Sequence, residues 1–108
     1  MDKTNYILTI EDITNLANLG LEVIRKEESD PEGAKGWFCP MEKAVDIHLP
    51  AIEYPTDEAQ TLYHEFLHAK MNLIYEDWTS GSHYKIDQAL ENIDENHPII
   101  VLIKELYY

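Results

Sequence analysis

Apolar residues recur every three or four positions through Ile13, Leu16, Ala17, Leu19, Gly20, Val23 and Ile24, which predicts a helix from Thr9 or Glu11 to about Lys26. Residues 1–10 read as a short strand or ordered lead-in, and 27–36, with Pro31, Gly33 and Gly36, as a polar connection. The period then shortens. Gly36-Trp37-Phe38-Cys39-Pro40 is brief and aromatic, and Ala44-Val45-Asp46-Ile47-His48-Leu49 alternates apolar with polar, as a half-buried strand does. Met41-Glu42-Lys43 is the right length to join the two as a hairpin.

Pro50 and Pro55 bracket the next loop, after which helical spacing returns over 56–75 through Leu62, Phe66, Leu67, Leu73 and Ile74, with no Gly or Pro. Thr56 is a candidate N-cap, with Asp57 and Glu58 favourable in a first helical turn. Trp78-Thr79-Ser80-Gly81-Ser82 has the composition of a terminating loop. A further helix is expected over 82–96, with Ile86, Ala89, Leu90 and Ile93 on its apolar side. His97-Pro98 interrupts it. Residues 99–107 mix β-branched Ile99, Ile100, Val101 and Ile103 with helix-favouring Leu102, Lys104, Glu105 and Leu106, and a last helix is the better reading. The expected fold is α+β: one domain over 1–108 with an N-terminal helix, a short β-hairpin or sheet, a central helix and C-terminal helices.

A chain of 108 residues supports one modest core. Its net charge of −13 disfavours direct binding to nucleic acid, which needs clustered Lys and Arg. The same charge suits a solvated acidic surface or a basic partner. Cys39 is the single cysteine, so an internal disulfide framework and a cysteine zinc site are excluded. There is no apolar run of membrane-spanning length and no signal-peptide pattern, so a cytoplasmic location is expected.

Within the central helix, His64-Glu65-Phe66-Leu67-His68 reads HExxH. Residues i and i+4 lie one above the other on a helix, so two imidazoles can face one metal ion, with Glu65 beside it to take a proton from water. A shuffled chain of this composition carries the pattern in about 3% of cases, so context decides, and here the context is the helix the chemistry requires. A catalytic zinc normally takes three protein ligands and a water. Met71 and Ile74 stand where the extended three-histidine motif needs Gly and His, which excludes that class. The remaining candidates are His83, Asp87, Glu91, Asp94 and Glu95. Glu91 is preferred, because it follows His68 by enough chain for a loop and a helix that turns back. Asp87, one turn earlier, is the alternative ligand or the carboxylate that orients a histidine. His83, Tyr63, Tyr75 and Tyr84 are weaker candidates for stabilising an oxyanion.

From Gly36 to Ile47, over Thr61-Leu62-Tyr63-His64-Glu65-Phe66-Leu67-His68-Ala69, and through Ser82-His83 and Ile86 to Glu91, the chain resembles minimal zincins. These are the gluzincin-like proteins of the ImmA/IrrE type and small phage-borne relatives. The resemblance covers about residues 36–96 and departs from the pattern at Leu67, where a Gly is frequent. It implies a zincin-like fold, zinc (Zn2+) held by His64, His68 and Glu91, and general-base work by Glu65. It also implies that 44–49 forms the sheet edge along which a peptide or protein substrate would lie.

The leading expectation is therefore a zinc metallopeptidase. The alternatives are an acidic, non-enzymatic protein that binds a basic partner, and a zincin scaffold that holds zinc without cleaving.

Overall fold

A left-handed glycine sets the first departure from the sequence pattern. The computed structural model describes residues 7–76 and 83–108, with side chains from residue 86 onward in the second stretch. Helix α1 spans Ile10–Asn18, opened by a capping box in which Thr9 accepts from the Asp12 N–H and the Asp12 carboxylate accepts from the Thr9 N–H. It does not run on to Lys26. Gly20 takes φ +94°, the Gly20 N–H bonds the Ala17 carbonyl and the Leu21 N–H bonds the Leu16 carbonyl. This is a Schellman closure, with Leu16 and Leu21 supplying its buried apolar contact. Released from the helix, the β-branched pair Val23-Ile24 forms strand β1, Glu22–Lys26.

Strands β2 (Gly36–Cys39) and β3 (Ala44–His48) form the expected hairpin, with Lys43 at φ 50° in the connection. The strand order is β1-β3-β2, with β3 parallel to β1 and antiparallel to β2. That order corrects the expectation for 44–49. β3 is the central strand, paired on both sides, and all five of its residues are buried, so it offers no edge to a peptide. On its far face Asp46 pairs with Lys26 at 3.2 Å and His48 Nδ1 meets the Glu28 carbonyl at 3.2 Å. The chain between β1 and β2 folds over that face, and Trp37 Nε1 donates to Asp30 there.

The edge next to the central helix is β2. The Glu22 N–H donates to Lys43 O, and the His48 N–H to Lys35 O. The alternation of an antiparallel ladder then turns the backbone groups of Lys35, Trp37 and Cys39 toward β3, and those of Gly36 and Phe38 off the open edge.

Helix α2 runs Pro55–Ala69 with Tyr54 rather than Thr56 as its N-cap, because Pro55 occupies the first helical turn, where a missing N–H costs nothing. It continues as a π-helical turn, Lys70–Ile74. Ala59, Leu62, Phe66 and Leu67 are fully buried and meet Val45 and Ile47 of β3 in the core. The expected terminating loop at 78–82 lies outside the described residues. Helix α3 is short, His83–Ala89, and 90–97 turns instead of continuing to 96. Asp94 accepts from the Asn96 N–H at 2.9 Å, a side-chain bond that competes with helix. Helix α4, Pro98–Tyr107, matches the expectation and is capped by His97, whose Nδ1 accepts from the Ile99 N–H. The described residues thus form a mixed α+β fold of four α-helices and a three-stranded sheet. None of their helices is long and apolar enough to cross a membrane.

Candidate metal centre

Helix α2 buries the apolar side that Leu62, Phe66 and Leu67 define, and this leaves His64 and His68 half-buried on an adjoining side. The i, i+4 spacing brings the two Nε2 atoms to 3.1 Å, with ring centroids 4.8 Å apart. Glu65 Oε2 lies 3.9 Å from His64 Nε2. Ligand atoms of all three residues fall within 4.8 Å of one another. The edge of a tetrahedral site with Zn–N near 2.0–2.1 Å is about 3.3–3.4 Å, so a zinc ion needs the histidines to part by only a few tenths of an ångström. Two imidazoles and a carboxylate are also donors that zinc accepts. The residues fit the metal.

Glu65 is the unusual member. It is 8% exposed. Burial pushes its carboxyl from 4.5 up to about 7, against the smaller opposing pull of the Phe38 N–H. A carboxyl at that value can both take up and release a proton near neutral pH.

His64 and Glu65 open onto a cleft of about 270 Å³, lined also by Lys35, Gly36, Asp57, Gln60, Thr61 and Leu90. Asp57 and Lys35 pair at 2.9 Å on its wall. The Lys35 ammonium, helped by the Glu53 N–H, holds the Asp57 carboxyl below the usual carboxylate range. Gly36 comes so close to α2 that a Cβ there would stand 2.6 Å from Thr61 Cγ2. Pattern reading over the chain passed over these wall residues. The one signal for them was spacing, since Gln60 and Thr61 lie one helical turn before His64.

The downstream segment does return to α2. Gln60 Nε2 donates to the carbonyls of Leu90 and Ile93, at 3.2 and 3.3 Å. Leu90, however, is the residue that lines the cleft, while Glu91 is exposed on the turn beyond α3 and stands outside the metal-capable group. Asp87 and Asp94 are exposed, and Glu95 accepts from Thr56 Oγ1 at 2.8 Å. None of these acids joins His64, Glu65 and His68 among the described residues. The side chains of His83 and Tyr84 lie outside the described ones.

Other candidates have structural duties. The Tyr63 hydroxyl is turned into the core, where it accepts from the Leu8 N–H at 2.9 Å, and its ring meets His97 edge-on. Tyr75 is exposed, with the Lys70 ammonium 5.8 Å from its ring centre.

Comparison of the chain with family models, with curated proteins and with solved structures finds no match in any of the three.

Proposed function

We propose that the protein is a zinc-dependent metallopeptidase with a zincin-like centre. The observation that carries this reading is the convergence of His64 Nε2 and His68 Nε2 to 3.1 Å beside a buried Glu65, at the wall of an open cleft. His64 and His68 would hold the metal through these two atoms; Glu91, the third ligand that the resemblance implies, is exposed on the turn beyond α3 and stands outside this group. Bound zinc supplies Lewis acidity, polarising a carbonyl and making water acidic enough to ionise near neutral pH. Glu65 accepts the water's proton at its carboxylate and passes it to the departing amine, so the residue ends the cycle as it began. The substrate is an extended peptide. The open β2 edge, with the backbone groups of Gly36 turned outward, would align it by main-chain hydrogen bonds that read little of its sequence.

Metal analysis of protein purified without a histidine tag tests the proposal. One zinc per chain is expected, with loss in His64→Ala. Substoichiometric zinc that His64→Ala leaves unchanged would overturn it.

A further inference from the structure

The sheet has two outer strands, and only β2 borders the candidate centre; β1 closes the opposite side. The Glu22 N–H donates to the Lys43 carbonyl, so the parallel ladder turns the backbone groups of Glu22, Ile24 and Lys26 toward β3. Those of Val23 and Arg25 point off the open edge, and among the described residues they have no main-chain partner. The helices do not close over this edge: a cleft of about 350 Å³ opens between Val23 and Leu106 and Tyr107 of α4. Cations commonly guard such an edge by standing across it. Here both are held back within the chain, Arg25 by Glu58 and Lys26 by Asp46.

The order Glu22-Val23-Ile24-Arg25-Lys26 is complementary to its own reverse. Antiparallel pairing sets outward-pointing residues against one another, so two copies can centre on Val23, Ile24 or Arg25. Centring on Arg25 places two guanidinium groups together. Centring on Val23 carries Lys26 past the start of the strand, opposite Gly20. Centring on Ile24 pairs every residue. Val23 and Arg25 then exchange both main-chain hydrogen bonds, Glu22 faces Lys26, and the Ile24 side chains, 38% exposed, cover each other. Lys26 keeps 38% of its side-chain surface accessible, so its ammonium can take Glu22 of a second copy while it holds Asp46. In a chain of net charge −13, β1 carries two cations to one acid, and this approach brings no carboxylates together.

We infer that β1 is a self-association edge: two copies pair their β1 strands antiparallel about Ile24, Glu22 of each against Lys26 of the other. The two-fold axis makes the contact isologous and closed. It joins the two three-stranded sheets into one, with the β1 strands at its middle and a β2 edge at either end, so both candidate centres stay open. The pairing does not depend on a metal.

Sedimentation velocity from ~5 to ~500 μM, the range expected of a small interface, should show dimer growing with concentration. Glu22→Lys, an exposed change that sets a lysine against Lys26, should weaken the dimer by on the order of tenfold while leaving the circular dichroism unchanged. Cysteine pairing in a Cys39→Ser background reads the register, because facing residues between the hydrogen-bonded rungs bring their Cβ atoms within disulfide reach. Under mild oxidation Ile24→Cys should form covalent dimers at least about tenfold faster than Glu22→Cys or Lys26→Cys alone. Mixing the latter two variants should recover most of that rate.

Protein that stays monomeric throughout this range overturns the inference and leaves the edge to a different chain or to none. A dimer that Glu22→Lys leaves unchanged also overturns it, since the contact then lies elsewhere. Cross-linking without preference for Ile24→Cys overturns the register.

Discussion

Helix α2 carries two buried glutamates seven residues apart, and the sheet treats them in opposite ways. Glu58 is 6% exposed and Glu65 8%, so burial alone does not distinguish them. Glu58 receives a guanidinium: Arg25 Nε and Nη2 reach its Oε1 at 3.1 and 2.9 Å, from the outer strand β1. Glu65 faces β2 instead, which offers it one backbone N–H and no cation, and its carboxyl rises to about 7. A buried carboxylate given its cation is a strut between helix and strand. One left without it stays near the point of gaining or losing a proton, the state that the proposed role as a base requires.

The sharpest way to break the contrast is to replace each glutamate and measure hydrolysis in the zinc-loaded protein. Glu65→Gln keeps the shape and removes the exchangeable charge. It should retain zinc and lower kcat/KM by on the order of 10²–10⁴. Glu58→Gln should leave kcat/KM within a few-fold of wild type. Equal losses in the two would remove Glu65 from its special place.

Stability against pH sharpens the contrast in metal-free protein. In the unfolded chain Glu65 releases its proton around 4.5, whereas in the folded chain it keeps it until about 7. The folded state thus binds the extra proton between these values, and stability falls as pH rises through the window. The cost is complete above pH 7 and absent below about 4, and it amounts to at most about 3 kcal/mol. Glu65→Gln never ionises, so it should unfold at higher denaturant than wild type at pH 8 and at the same concentration at pH 4. A gap of the same size at both pH values would contradict a burial-driven shift.

The sequence shows one half of this arrangement far better than the other. His64, Glu65 and His68 were legible because helical spacing alone places them, and a long apolar period marks the helix. The hairpin was legible from alternation and from the length of its turn. What surrounds them was not. Val23 and Ile24 fit a continuing helix as well as a strand, and the deciding event is Gly20 adopting a positive φ, which a periodicity count cannot weigh. Without β1 the sheet had two strands, and 44–49 passed for an edge when it is the centre. Alternation likewise suggested one wet face on β3, whereas the chain between β1 and β2 covers it. Glu91 failed to converge for a related reason. Its spacing from His68 allowed a returning helix, but α3 ends at Ala89, and the turn that follows sends Leu90 to the cleft and Glu91 to solvent.

The smallest expected effect concerns the strut. Arg25 is half-exposed, with 47% of its side-chain surface accessible, so water screens the pair and recovers much of the guanidinium when the partner is removed. Its ring contact with Tyr108, 4.9 Å from guanidinium to centroid, also survives loss of the carboxylate. Glu58→Ala should therefore cost about 1–2 kcal/mol, well short of a fully buried ion pair, and the loss should shrink in high salt. Denaturant titration at low and high ionic strength measures both. A cost of 4 kcal/mol or more by that measurement, above the ~1–2 kcal/mol expected of a screened pair, would mean that water does not screen the half-exposed Arg25 guanidinium and that the pair behaves as a fully buried one. The difference between the two glutamates would then lie solely in the cation that β1 supplies and β2 withholds.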